Sequence, residues 1–270
     1  MRIIGERINT VRPNVAEALK ERRAAFFQEE ARRQVEAGAN MIDVNAGSEV
    51  EEEPANMAWL VEVVQSAVDV PLCIDSYNSE AVAVGLKNSR HKEQAIANSF
   101  TLQRGRHDRV LPLVKEYGCS VVGLPMDDAG IPYDVSSRVE KSLRLADAVS
   151  KYDIPLDRLY IDLLAMAAST DTGHAPVVLE TLKQLKIKLP EVQTLLSLTG
   201  ISYGLPARRL ISCTFLPMLL YLGIDALIFD PSTRSGEQLM AMIPAADMLL
   251  NRDRYCQNYI AAYHQGKLRF

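Results

Sequence analysis

The sequence predicts a single α/β domain over residues 1–270, a closed (β/α)8 barrel of the TIM type. Three observations predict it. Strand-like and helix-like runs alternate from end to end, which implies parallel pairing. The strand runs are apolar throughout instead of alternating, as in strands covered on both faces. Eight such pairs fit into 270 residues, near the roughly 250 common for this barrel. An open doubly wound sheet would carry a Gly-rich turn after its first strand. Gly5, Glu6, Arg7, Ile8 and Asn9 do not make one.

Taken in order, the first strand is 2–5, followed by the polar stretch 6–10. A helix over 15–37 ends at Gly38, a residue suited to the left-handed cap. The second strand is 41–44, followed by the loop 45–48 and an acidic run, Glu51 to Glu53. That run suits a helix start, where acids meet the positive end of the dipole. The helix over 54–68 holds Trp59. Leu72–Asp75 is the third strand, with a helix over 79–87. A shorter, more polar strand, 95–99, precedes a helix over 106–117 and Gly118.

Ser120–Leu124 is the fifth strand, followed by a loop rich in Asp, Gly and Pro over 125–133 and a long helix over 135–152. Leu159–Asp162 is the sixth, with a long loop over 163–174 and a helix over 175–187. The seventh is 194–199, its loop 200–206 and its helix 207–222. The eighth is 226–230, with a last helix from about 236 to 250. The tail, 251–270, reads as a short helix packed outside the barrel, at a subunit contact.

Composition narrows the function classes. An apolar fraction of 48% suits a globular core, and a net charge of -4 argues against a nucleic-acid partner. Cys73, Cys119, Cys213 and Cys256 form no Cys-x-x-Cys pair, so a zinc ribbon is not expected. Cys73 and Cys119 lie in strand-like runs and read as buried thiols. The amino end has no signal-peptide pattern, and no apolar stretch is long enough to span a membrane. A cytoplasmic protein is expected. The pairs Arg22, Arg23 and Arg32, Arg33 read as a solvated helix face.

The functional signal is an acid closing an apolar strand. It recurs at Asp43, Asp75, Asp162 and Asp230. Such an acid is costly unless paired or hydrogen-bonded. In a barrel of this type the strand ends form the site. Glu6, Arg7, Asn9, Asn45, Asn78, Asn98 and Thr199 join the acids there. None of the four histidines does, and His174 is the nearest in a loop. A two-histidine metal site is not expected, whereas an all-oxygen magnesium site stays open.

Carboxylates and amides also suit a flat heterocycle with several N–H donors. A pterin carries a 2-amino group beside a ring N–H, and one carboxylate accepts from both. Each charge-assisted bond contributes about 1.5–3 kcal/mol. The bland alternative pairs the acids with Arg7, Arg208 or Arg234 as structural networks. Asp75 and Asp162 have no basic neighbour in adjoining residues. The loop from Thr199 to Gly204 reads either as a phosphate cradle or as a plain turn.

Several segments together resemble a known family. Ile3 to Asn9, Asp43 to Gly47, Cys73 to Ser76, Ile96 to Ser99, Leu159–Asp162 and Arg208 to Phe215 are similar to the pterin-binding barrels. Among these, the likeness is to the methyltetrahydrofolate:corrinoid/iron–sulfur protein methyltransferases, in order along essentially the whole chain. More distant are the folate domain of cobalamin-dependent methionine synthase and dihydropteroate synthase. The resemblance implies that Asp75, Asn98 and Asp162 hydrogen-bond the pterin and that Asp43 and Asn45 support its ring face. It places Arg208 near the cofactor, with Gly200 and Ser202 in the loop before it. The implied substrates are tetrahydrofolate or 5-methyltetrahydrofolate, with methylcobalamin or another corrinoid on a partner protein. No Asp-x-His-x-x-Gly corrinoid signature occurs, so docking at the barrel mouth is expected. Family likeness also implies a homodimer.

One position departs from the family. Where it usually carries an asparagine that approaches N5 of the pterin, this chain has Gly200, which has no side-chain donor. The methyl group is expected to move by in-line displacement between N5 and cobalt, in a direction the sequence leaves open. The protein supplies orientation and electrostatics. The alternatives are a dihydropteroate synthase-like enzyme, a non-catalytic pterin-binding subunit, or a phosphate-binding barrel of other function.

Overall fold

A computed structural model describes residues 1–47, 50–105 and 107–268. Eight parallel strands close on themselves in sequence order: β1 (Arg2–Asn9), β2 (Met41–Asn45), β3 (Leu72–Asp75), β4 (Ile96–Thr101), β5 (Ser120–Leu124), β6 (Leu159–Asp162), β7 (Gln193–Ser197) and β8 (Ala226–Ile228). Helices run outside: α1 (Pro13–Lys20), α2 (Ala24–Glu36), α3 (Glu53–Gln65), α4 (Ser79–Asn88), α5 (His107–Tyr117), α6 (Val135–Lys151), α7 (His174–Lys188), α8 (Arg208–Leu222), α9 (Arg234–Leu249) and α10 (Gln257–His264). The expected closed barrel is what forms.

Two apolar layers hold it. Ile4, Met41, Cys73, Ile96, Val122, Tyr160, Leu195, Ala226 and Ile228 fill the interior. A larger shell, including Ile42, Val44, Ile74, Val121, Leu159 and Leu196, seals strands against helices. This double burial is why the strand runs read as continuously apolar.

Four elements differ from expectation. The helix expected over 15–37 is two helices, broken where Arg22 takes a left-handed φ of 52°. Arg22 is exposed, as expected of a solvated face, but its guanidinium is also engaged. It lies 4.8 Å over the Trp59 ring and donates to Asn56 Oδ1 at 2.6 Å. The first strand continues through the polar stretch to Asn9, with a register shift between Gly5 and Ile8. There the Arg7 N–H leaves the ladder and donates to Gln34 Oε1 at 2.9 Å. The last two strands are shorter than expected because backbone turns take over at Thr199 and Asp230. Ser48, in the loop after β2, and the last two residues of the tail lie outside the described residues.

Candidate functional site

Strand periodicity builds the site. Successive side chains on a strand alternate faces, so residues two apart share one. Met41, Cys73, Ile96 and Tyr160 point into the barrel. The same phase carries Asp43 and Asn45 on β2, Asp75 on β3, Asn98 on β4 and Asp162 on β6 to the interior. Register places Asn45 beside Asp75 and Asp75 beside Asn98. The acids and amides expected to act together therefore meet at the C-terminal mouth.

Local bonds hold each one. Asn45 Nδ2 donates to Asp75 Oδ2 at 3.0 Å. Its amide orientation is set from behind, where the Gly47 N–H donates to Asn45 Oδ1 at 3.3 Å and Thr10 Oγ1 lies 2.8 Å from the same oxygen. Asp162 Oδ1 accepts from the Leu164 N–H at 2.7 Å. The Ser76 N–H donates to the Asn98 carbonyl at 2.9 Å, which ties the β3 exit to β4. Asp43 is the deepest of the set, 3% exposed, and its Oδ1 has no hydrogen-bond partner among the described residues.

Burial dominates the electrostatics. It pushes Asp75 up to about 6, against the bond from Asn45 that lowers it and together with the nearby Glu53 charge that raises it. Asp162 is likewise pushed up to about 6 by burial, opposed by the Leu164 N–H and the Arg138 charge. Asp43 is held well above the carboxylate range by burial and then by the charge of Asp75. Glu6 rises through burial, partly offset by Arg12. Carboxylates gathered in a low-dielectric mouth and shifted this way are the usual mark of a functional site.

Arginine networks do not neutralise the central acids. Arg7 pairs with Glu30 on α2 at 3.1 Å, outside the mouth. Arg208 donates to the Thr199 carbonyl at 2.9 Å and to Ser202 Oγ at 3.3 Å, and lies 5.6 Å from the Tyr203 ring centre. Ser202 is buried and its hydroxyl donates to the Thr199 carbonyl at 3.1 Å. Ser202 and Arg208 thus brace the β7 turn, which favours the plain-turn reading of that loop over a phosphate cradle. Beside it, a cavity of about 370 Å³ opens between Glu6, Arg12, Thr199, Arg208 and Asp230. A larger hollow of about 700 Å³ sits at the opposite end of the barrel, beside Arg2, Tyr160 and Asp225. The inward acids with raised pKa are not there, so the candidate site is the mouth.

Some expected mouth residues are structural. Asp230 Oδ1 accepts from the Ser232 N–H at 3.0 Å and from its hydroxyl at 2.6 Å, closing its own turn. Asn9 Oδ1 accepts from the Val11 N–H at 3.0 Å. Asn78 caps α4, accepting from the Glu80 N–H at 3.0 Å and donating to the Val50 carbonyl at 3.1 Å. Asn78→Ala should lower stability by about 1 kcal/mol, read by urea unfolding, and leave ligand affinity unchanged. A large affinity loss at wild-type stability would contradict the capping role.

Three residues escaped the sequence reading. Glu53 is 6% exposed, and its Oε1 accepts from Ser76 Oγ at 2.5 Å, so it belongs to the wall beside Asp75. Thr10 braces Asn45. Arg138 is wholly buried. A signal for Arg138 did exist, since it falls on the buried stripe of α6 with Ser142, Leu145 and Val149. For Gly200 the geometry is specific. A Cβ there would stand 2.8 Å from the Ala165 carbonyl oxygen, because the β6 loop packs directly on it. Among the described residues, no group of three or more His, Cys, Asp or Glu is arranged to hold a metal ion.

Comparison with known proteins bears on this geometry. Residues 5–230 match the family model described as "Pterin binding enzyme". The chain is 34% identical over 270 residues to the methylcorrinoid:tetrahydrofolate methyltransferase of Eubacterium limosum, covering 99% of this chain and 98% of that one. It is 26% identical over 249 residues to the methionine synthase of Mycobacterium tuberculosis, covering 85% of this chain but 20% of that protein. Among solved structures, a Yersinia pestis DHPS with a pterine-sulfa conjugate superposes with a TM-score of 0.69 at 18% identity, over 92% of this chain and 94% of that one. A dihydropteroate synthase of Xanthomonas albilineans with 7,8-dihydropteroate gives 0.66 at 19% identity, over 94% and 93%. Those two likenesses speak to the fold alone.

Proposed function

This chain belongs to the pterin binding enzyme family, and from that premise we propose that it moves a methyl group between a corrinoid on a partner protein and N5 of tetrahydrofolate. The single observation that carries the reading is the inward set of Asp75, Asn98 and Asp162 at one mouth, with Asn45 and Asp43 behind them. Asp75 and Asp162, with pKa values of about 6, are ionised at neutral pH and accept from the 2-amino group and ring N–H of the pterin. Asn98 offers both a donor and an acceptor to the same ring edge.

We take the methylcorrinoid as donor, the order in which the similar Eubacterium limosum enzyme is named. The N5 lone pair attacks the methyl carbon in line. The carbon–cobalt bond breaks with both electrons left on cobalt, and the N5 proton is released to solvent water. The chain itself binds and orients the folate, and its buried mouth restricts water.

The partner docks over the mouth for a single transfer and departs. We further propose a homodimer through the outer face of α8 to α10, where Leu210, Met218, Tyr221, Leu249, Ile260 and Tyr263 stand exposed. Light scattering should then give twice the 30.0 kDa chain. A cytoplasmic setting fits four free thiols. Among the described residues, no helix is long and apolar enough to cross a membrane.

The decisive test mixes purified protein, methylcobalamin and tetrahydrofolate and follows the cobalt spectrum. Loss of the methylcobalamin band with formation of 5-methyltetrahydrofolate is expected. Folate binding with no transfer, from free methylcobalamin or from a methylated corrinoid protein, would instead mark a non-catalytic subunit.

A further inference from the structure

Arg138 is the largest side chain buried completely among the described residues. Its guanidinium meets no carboxylate within ion-pair distance among the described residues. Instead Nε donates to the Pro132 carbonyl at 3.0 Å, and Nη1 to the Leu163 and Leu164 carbonyls at 2.6 and 3.1 Å. Nη2 is buried with no partner among the described residues. Burying a charge without a counter-ion is unfavourable, and its retention asks for a reason.

The reason lies in what those carbonyls belong to. Pro132 is in the loop before α6, and Leu163 and Leu164 form the turn after β6. Leu164 sits at a left-handed φ of 52°, a conformation a leucine adopts only when held. In that conformation its N–H reaches Asp162 Oδ1. The turn therefore occupies one carboxylate oxygen and leaves the other for a ligand. We propose that Arg138 is a positioning residue for Asp162: it fixes the turn that orients this carboxylate and sets a positive charge beside that turn. This rests on the folate reading given above.

The surroundings assign the electrostatic part to Arg138. Asp162 pairs with Leu195 on β7, and Val122 and Gly123 on β5 pair with Tyr160 and Ile161 just before it, none of the three titratable. His174, at the head of α7, is buried and stacks on Tyr133, with ring centres 6.2 Å apart. Asp134, at the head of α6, acts on Arg138. Asp43 and Asp75 face the interior from β2 and β3, across the barrel. Arg138 is the charge that opposes the effect of burial on Asp162.

The test titrates tetrahydrofolate into wild type, Arg138→Met, Arg138→Lys, Asp162→Asn and the Arg138→Met/Asp162→Asn double variant, from pH 5 to 8. Arg138→Met should raise the Kd about tenfold or more, as for a lost charged contact. It should also move the acid limb of binding to higher pH, because Asp162 then holds its proton longer. Arg138→Lys keeps the charge but not the fork, so its limb should stay near wild type while affinity falls severalfold. In the Asp162→Asn background, Arg138→Met should change the Kd less than about twofold, since the two act as a unit. An equal loss in both backgrounds, or an unmoved limb, overturns the proposal. Should Arg138→Met not fold, Arg138→Lys with wild-type affinity overturns it alone. Wild type that binds no folate refutes the folate reading itself, a separate outcome.

Discussion

Asp75→Asn should make the protein more stable at pH 8 while removing most of its folate affinity. In the folded chain Asp75 has a pKa of about 6, above its ordinary 3.8, chiefly because it is buried. A raised carboxylate favours its protonated form, so above pH 6 the ionised side chain destabilises the fold. That penalty fades as pH falls from 6 toward 3.8, because the folded state takes up the proton first. Asparagine has no charge to desolvate, and its Oδ1 still accepts from Asn45 Nδ2. A gain on the order of 2–3 kcal/mol at pH 8, closing by pH 4, follows from a shift of about two units. Thermal unfolding should show this as a Tm higher by roughly 5 °C.

The loss on the binding side is larger. Replacing a carboxylate by an amide removes a charge-assisted acceptor and turns an N–H toward the pterin donors. The Kd for tetrahydrofolate should rise about a hundredfold. Calorimetric titration at pH 7.5 checks it. A variant that is less stable than wild type at pH 8, or that binds folate normally, would show that Asp75 is an ordinary structural acid.

The second large effect is at Gly200. Gly200→Asn supplies the side chain that the resembled family usually carries there, yet it should damage this enzyme. The Cβ alone would press to 2.8 Å from the Ala165 carbonyl oxygen, a backbone atom that has no rotamer to change. The β6 loop would have to move, and that loop holds the Leu164 N–H on Asp162 and is bonded to the β7 loop through Ala168 N–H to the Ile201 carbonyl at 2.9 Å. Overpacking of this kind costs about 1–3 kcal/mol. Methyl transfer should fall at least about tenfold with the displaced carboxylate. Stopped-flow transfer rates and a urea titration decide it, and a faster enzyme of unchanged stability would refute this account. The glycine and the close approach of the β6 loop belong together.

Much of the candidate site could be read directly from the chain because its rule is local. A buried strand that ends in an acid announces itself in five residues, and Asp43, Asp75 and Asp162 all did so. Asn98 was legible for the same reason. Asp230 obeyed the same rule and is structural, because its partners Ser232 N–H and Oγ lie two residues on and satisfy it. No pattern distinguishes those cases, since the difference is whether the next turn bends back. Glu53 looked like an exposed helix start, and only the approach of Ser76 on another element buries it.

The sequence alone determined the order of strands and helices, the parallel closure they require, and which strand ends carry acids, because periodicity and apolar runs act over a few residues. Tertiary structure decided what those acids experience. Burial depth, the phase that turns Asn45, Asp75, Asn98 and Asp162 inward together, and the Arg138 bonds to a turn more than twenty residues away all depend on atoms distant along the chain. Proton affinity and orientation follow from those neighbours, and closure of the barrel is what supplies them.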